Sequence, residues 1–281
     1  MSAGARTEPS CAPSRGSGVR LYWELMRVGF RRTAAYRAAA ISGAITNTFF
    51  GFLRASVFIA LYEGRGVVGG YSLDDALLFA FATQGMVGLV ELWSWWRIAE
   101  TVQSGQIATD LSRPIDYQLA WLAQDYGRAL FQLVARSIPP FVVGVALFEL
   151  ALPASPVGWL ALLPSLILAI AVSFGWRFCL NLSAFWLVDH RGVAGIANLA
   201  ALLLSGFLVP LALFPDALRG PLYVLPFSAM VAIPIDVLLG KLRGADLAAA
   251  LLLQACWAVA MLALGRMMLA VALRKLVIQG G

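Results

Sequence analysis

Between Val19 and Arg37 the polar residues Arg20, Glu24, Arg27 and Arg31 recur at steps of four, three and four, one face of a helix with 3.6 residues per turn. Leu21, Tyr22, Leu25, Met26, Val28, Gly29 and Phe30 fill the other side, so the pattern predicts an amphipathic helix over 19–37. Arginines on its wet face and Trp23 near its start suit a bilayer interface, where apolar burial and anionic headgroups both favour such a helix. A helix packed on another subunit is the alternative reading. Long apolar stretches follow, each near the roughly 20 residues needed to cross about 30 Å of hydrocarbon. Six spans are predicted, at 38–62, 75–96, 128–148, 158–187, 193–214 and 246–273.

Two connections depart from simple loops. Residues 97–127 carry helical stretches separated by Gly105 and Pro114, a length and pattern that suit a docking surface. Residues 210–234 are apolar but punctuated by Pro210, Pro215, Pro221, Pro226 and Pro234. They read as a broken re-entrant hairpin, whose irregular backbone is tolerated only where protein or water covers it.

Composition agrees with this layout. The 281 residues are 60% hydrophobic and 13% charged, against about 45–50% and about 25% in soluble domains, and the mean hydropathy is +0.80. An all-α integral membrane protein is expected. Residues 1–18, rich in Pro, Gly and Ser, read as a disordered tail without the apolar core of a secretory signal. Lysine and arginine fix the expected orientation. With the N-terminus inside, the cytoplasmic segments hold thirteen such residues and the outer segments four (Arg65, Arg219, Lys241, Arg243), which places both termini in the cytoplasm. Topology thus accounts for most of the net charge of +6, and no nucleic-acid partner is needed.

Chemistry is sparse. Cys11, Cys179 and Cys256 offer neither a disulfide framework nor a CxxC signature, and the single histidine, His190, cannot build a two-histidine metal site. No phosphate loop, GxSxG elbow or HExxH motif occurs. Ser183, Asp189 and His190 gather at one span end, where an interfacial role is the ordinary explanation. Charges inside spans are costly and point to function by default. Glu91 and Arg136 fall at similar depth and are expected to meet, while Arg177 and Arg266 lie about two turns from the inner ends of their spans. Either these arginines snorkel to headgroups, or together they line a cavity open to the cytoplasm. Arg54 lies about 12 Å from Tyr62 along the first span, by the ~1.5 Å rise per residue, facing a subunit contact or a watery path. Trp93, Trp95 and Trp96 form an aromatic belt or, less simply, a stacking platform for a flat substrate. Arg54, Glu91, Trp96, Arg136 and Arg177 are therefore the candidate substrate-path residues.

The runs Val68-Gly69-Gly70-Tyr71-Ser72-Leu73 and Gln103-Ser104-Gly105-Gln106-Ile107-Ala108-Thr109-Asp110-Leu111-Ser112-Arg113-Pro114-Ile115, with the terminal Val277-Ile278-Gln279-Gly280-Gly281, resemble the permease subunit of type-2 ATP-binding-cassette exporters. More narrowly they resemble a six-span bacterial subfamily associated with drug-type export, from which Ser112 departs where an apolar residue is common. The resemblance implies an amphipathic elbow helix, six spans and an outer re-entrant hairpin in the inner (plasma) membrane. It further implies a second permease, identical or homologous, meeting this one along the first, second and fifth spans. Separate ATPase subunits would hold ATP and magnesium, leaving this chain without a cofactor. The implied coupling residues are Gly105, Asp110, Leu111, Arg113, Pro114, Ile115 and Asp116. A secondary transporter and a structural membrane subunit are the rival readings.

Overall fold

The computed structural model describes residues 15–92, 96–150, 152, 155–187 and 191–274. Of the tail expected at 1–18, residues 1–14 lie outside the described residues, as do Trp93, Trp95, Asp189, His190 and the C-terminal Val277–Gly281 run, while residues 15–18 are helix and not tail. The amphipathic helix α1 runs Arg15–Ala34, beginning four residues before Val19. It packs along α6 (Tyr117–Gln132), and the crossing is set by two glycines. A Cβ at Gly29 would land on the carbonyl oxygen of Gln124, and one at Gly127 on that of Met26, so the two backbones touch. Phe30 and Phe131 meet edge to face beside them.

The apolar pattern becomes a bundle because one helix is surrounded by the others. Helix α2 (Arg37–Tyr62) leads through a two-residue hairpin (β1, Val67–Val68; β2, Tyr71–Ser72) into α3 (Leu73–Val90). Ser72 and Asp75 start α3 as a reciprocal capping box. Every residue of α3 from Ala76 to Val90 is buried, among α2, α6, α7 (Ile138–Phe148) and α8 (Pro156–Leu182). Gly51 of α2 and Gly144 of α7 form the slot for Phe81, since a Cβ at either would strike its ring. On α2 the buried stripe is Ala40, Asn47, Gly51, Ala55, Phe58 and Tyr62, while Ile41, Ile45, Phe49, Leu53 and Val57 stay exposed, as lipid contact requires.

Five helices are long and apolar enough to cross a bilayer, spanning 37–62, 73–90, 117–148, 156–185 and 244–273. The chain is an all-α integral membrane protein, with three differences from the predicted spans. The third begins at Tyr117 rather than 128, so the last eleven residues of the expected 97–127 loop are already helix. Its middle, Leu133–Ser137, is a π-turn, followed by Pro139 and Pro140, which lack the N–H groups that the carbonyls of Ala135 and Arg136 would otherwise receive. The second ends at Val90 instead of 96, where Glu91 turns left-handed. The fifth, expected over 193–214, is α-helical only as α9, Arg191–Leu204, with a single 3-10 turn at Leu211–Leu213. Ser205 and a left-handed Gly206 end it, leaving about 21 Å of helix at the usual rise.

The proline-punctuated stretch forms α10 (Asp216–Val224), α11 (Pro226–Met230) and α12 (Ala232–Leu238), broken at Leu225 and Val231. Both α11 and α12 are wholly buried against α8, α13 (Gly244–Leu273) and neighbouring helices. Gln254 of α13, fully buried, donates to the carbonyls of Ala229 (2.8 Å) and Ser165 (3.2 Å) and accepts from the Ser165 hydroxyl (2.9 Å). One amide thus ties a broken-helix carbonyl to two full-length helices, as non-helical backbone inside a bundle demands.

Candidate functional site

Sequence places a short helical segment before α6, and apolar anchors fix it to the bundle. Helix α4 (Arg97–Gln103) inserts Ile98, and α5 (Ile107–Leu111) inserts Ile107, into a cluster with Phe174, Phe178 and Leu182 of α8 and Leu269 of α13. The Ala99 amide donates to Asn181 Oδ1 (3.0 Å), and Asn181 donates to the Arg177 carbonyl (2.8 Å). Between the helices, Gly105 takes a left-handed φ of +74°, and Gln103–Gln106 are exposed. Arg113 and Pro114 are also exposed, Arg113 pairing loosely with Asp110 (3.4 Å), while Leu111 and Ile115 are half-buried.

Asp116 has a different part from the exposed tip. It caps α6, accepting from the Leu119 amide at 2.8 Å, and it ion-pairs with Arg266 of α13. Burial works to raise its carboxyl, but the Leu119 amide and the Arg266 guanidinium outweigh that and hold it below the ordinary carboxylate value. A depressed folded value gives stability that is complete above the unfolded value of about 3.9 and is lost as pH falls through the folded one. Asp116→Ala is therefore expected to cost about 0.5–2 kcal/mol near neutral pH, the worth of an N-cap. The cost should shrink below pH about 4, as denaturant melts at pH 7 and pH 3 would show. An equal cost at both pH values would mean that the carboxylate charge is irrelevant.

Where α3 ends, four charged side chains converge. Arg128 of α6 donates to the carbonyls of Gly88 (2.6 Å) and Leu89 (2.9 Å), and its Nε lies 2.7 Å from Asp125 and 2.8 Å from Glu91. Arg177 of α8 meets Asp125 at 2.7 Å and Glu91 at 3.6 Å, and it donates to Ser173 Oγ at 3.2 Å. The Ser173 hydroxyl in turn donates to the Val90 carbonyl. The last three carbonyls of α3 are thus closed by groups from α6 and α8. Asp125 is 3% and Arg177 4% exposed, and two acids balance two arginines.

The expected Glu91–Arg136 pair does not form. Arg136 sits in the π-turn with its guanidinium against Gly43 of α2, where a Cβ would strike it, and its Nε is buried with no hydrogen-bond partner among the described residues. Glu91 instead takes Arg128 and Arg177. Arg54 donates to Thr83 Oγ1 (2.9 Å) and to the Phe207 carbonyl (2.8 Å), its guanidinium 4.3 Å from the Phe207 ring centre. It ties α2 and α3 to the break after α9. Trp96 is half-buried at the N-cap position of α4.

A second polar cluster, which sequence reasoning missed, closes the opposite end. Asp236 of α12, 4% exposed, accepts from the hydroxyls of Tyr71 and Tyr223 (2.7 Å for the latter). Lys241 reaches the Gly70 carbonyl (3.1 Å) and Asp75 (2.6 Å), and Tyr62 donates to the Tyr71 carbonyl (3.1 Å). Burial first, then the Asp236 charge, push the Tyr71 hydroxyl well above its ordinary value, so it stays a donor. The cluster pins the hairpin before α3 to the broken helices.

The sequence family described as ABC-2 family transporter protein matches residues 46–280, most of the chain. No curated protein and no solved structure gives a significant match.

Proposed function

Because the chain belongs to the ABC-2 family of transporter proteins, we propose that it is the membrane-spanning permease of an ATP-driven exporter, working as a dimer with a second permease and driven by separate ATPase subunits. The observation that carries this reading is the α4–α5 segment. Ile98 and Ile107 bury it in α8 and α13, while Gln103–Gln106, Arg113 and Pro114 project from the same end of the bundle. A push on the projecting tip reaches α8 through Ala99 and Asn181, then α3 and α6 through Arg177, Asp125 and Arg128. Such a chain of short polar contacts between rigid helices suits the passage of motion from an ATPase to the spans. ATP binding must then stabilise one permease state over the other. Gly105, Asp110, Leu111, Ile115 and Asp116 belong to this coupling segment, with Asp116 fixing its return into α6.

In this reading the tip, both termini and the four-charge network face the cytoplasm, in a cell's inner membrane. ATP and magnesium are held by the partner. The dimer uses the exposed apolar faces of α2 and α9, including Ile45, Phe49, Ile196 and Leu203. The second span is left out of that interface, since α3 has no free face.

Arg113→Ala and Pro114→Ala are each expected to lower transport and substrate-stimulated ATP hydrolysis about tenfold in the reconstituted complex, the equivalent of ~1.4 kcal/mol of lost docking. Insertion and folding should be normal, because both side chains are exposed. Wild-type transport and stimulated hydrolysis in both variants would place the coupling elsewhere.

A further inference from the structure

Glu91, Asp125 and Arg128 of the four-charge network form one wall of a cavity of about 280 Å³ between α1 and α6, whose other lining includes Arg32, Tyr36, Arg97, Trp121 and Gln124. A neighbouring cavity of about 480 Å³ shares Arg32, Arg97, Trp121 and Gln124 and extends along the α4–α5 segment past Glu100 and Asp110. The charges around this joint vestibule do not all cancel. Glu91 and Asp125 are taken by Arg128 and Arg177, and Asp110 by Arg113. That leaves Arg32 and Arg97 against Glu100. Among the described residues none of these three side chains has an ion pair, and Arg97 only faces the Trp121 ring, at 5.9 Å. The walls carry four arginines and four acids, and Arg177, buried behind Asp125, brings the local balance to one positive charge in surplus. Gln132 also lines the first cavity, and its Oε1 is buried with no hydrogen-bond partner among the described residues.

We infer that this vestibule binds the singly anionic headgroup of an amphiphile from the adjacent leaflet, a phosphodiester whose phosphate takes Arg32 and Arg97. Arginine pairs suit phosphate oxygens because their donors form charge-assisted hydrogen bonds. The leaflet is the source because one wall is α1, which exposes Leu21, Trp23 and Val28 together with Arg20, Arg27 and Arg31, the profile of a helix lying at headgroup depth. As a binding site this goes beyond the permease reading and stands without it.

The test uses the full chain in phosphatidylcholine nanodiscs carrying a trace of photoactivatable phosphatidylglycerol, with adducts located by mass spectrometry. Adducts are expected within α1 and α6, displaced by unlabelled phosphatidylglycerol and not by added phosphatidylcholine. Arg32→Gln with Arg97→Gln should cut capture about tenfold, and Arg65→Gln, exposed and remote from the vestibule, should leave it unchanged. Arg32→Glu, at an exposed position that folding does not depend on, should cut it at least as far. Capture that ignores these substitutions, or equal displacement by phosphatidylcholine, would overturn the inference. Millimolar inorganic phosphate competing as well as the lipid would also overturn it, in favour of a free anion. Whether an ATPase co-purifies has no bearing on any of these readouts, so the two claims fail separately.

Discussion

Asp125→Ala is expected to destabilise the protein by about 3–5 kcal/mol, the cost of removing one partner from a buried charge cluster and leaving the others uncompensated. Asp125 lies between Arg128 and Arg177, and without it Glu91 alone faces two guanidinium groups. Arg177 cannot turn to water, since it is 4% exposed and packed within α8. Glu91→Gln should cost less, because the Glu91 side chain is 27% exposed and solvent already screens it. The Arg128 bonds to Gly88 and Leu89 would survive in both variants, so α3 should keep its end while its hold on α8 weakens. Denaturant titration in mild detergent measures the difference. A cost for Asp125→Ala below about 0.5 kcal/mol, no more than an ordinary surface substitution, would mean that the cluster is not desolvated as its burial requires.

The next largest effect is expected at the glycine crossing. Gly127→Val places a Cβ on the Met26 carbonyl, and the helix backbone of α1 has no side-chain freedom with which to move aside. Overpacking of this kind costs about 1–3 kcal/mol, and here it should appear chiefly as α1 leaving α6. Trypsin would then cut at Arg27 and Arg31, which α1 carries on its exposed face, much faster than in the wild type. Gly29→Val strikes Gln124 at the same crossing, so the double variant should cost less than the two single costs combined. Unchanged protection of α1 in Gly127→Val would contradict the backbone contact.

Residues that sit in an unbroken periodic pattern were legible from sequence, and residues whose role depends on azimuth or on distant partners were not. The Arg20–Arg31 stripe predicts α1 to within a few residues, and hydropathy finds the long helices. Hydropathy counts apolar residues and says nothing of what they face. It therefore gave no sign that α3 is enclosed on all sides while α2 is bare on one. Depth along a span put Glu91 level with Arg136, but depth is one coordinate. The π-turn and Pro139–Pro140 turn Arg136 towards Gly43, and an earlier helix start brings Asp125 and Arg128 to Glu91 instead. The Asp125–Arg128 spacing of three, a helical pair, was the signal available once α6 was seen to begin at Tyr117. For α9, Gly206 and Pro210 mark the break that a count of apolar residues passes over.

Within the coupling segment, Gly105 and Pro114 were readable as breaks, whereas the cap that Asp116 gives α6 shows only in the structure, since the span was expected to start at 128. Ile98 and Ile107 were not singled out, because a lone isoleucine in a polar loop reveals its anchor only when α8 and α13 are in place. The Asp236 cluster joins Tyr71 to a residue 165 positions away, a pairing with no local trace. Gln254 is likewise a single amide in an apolar span, meaningful only beside the open carbonyl of Ala229.

The central claim, a permease driven through its α4–α5 tip, is tested most directly by isolating the intact chain from its native membrane in mild detergent and assaying what accompanies it. The account predicts an ATPase in stoichiometric amount, with substrate-stimulated hydrolysis that falls in Arg113→Ala and Pro114→Ala. Recovery of the folded chain with no ATPase across several detergents would contradict it.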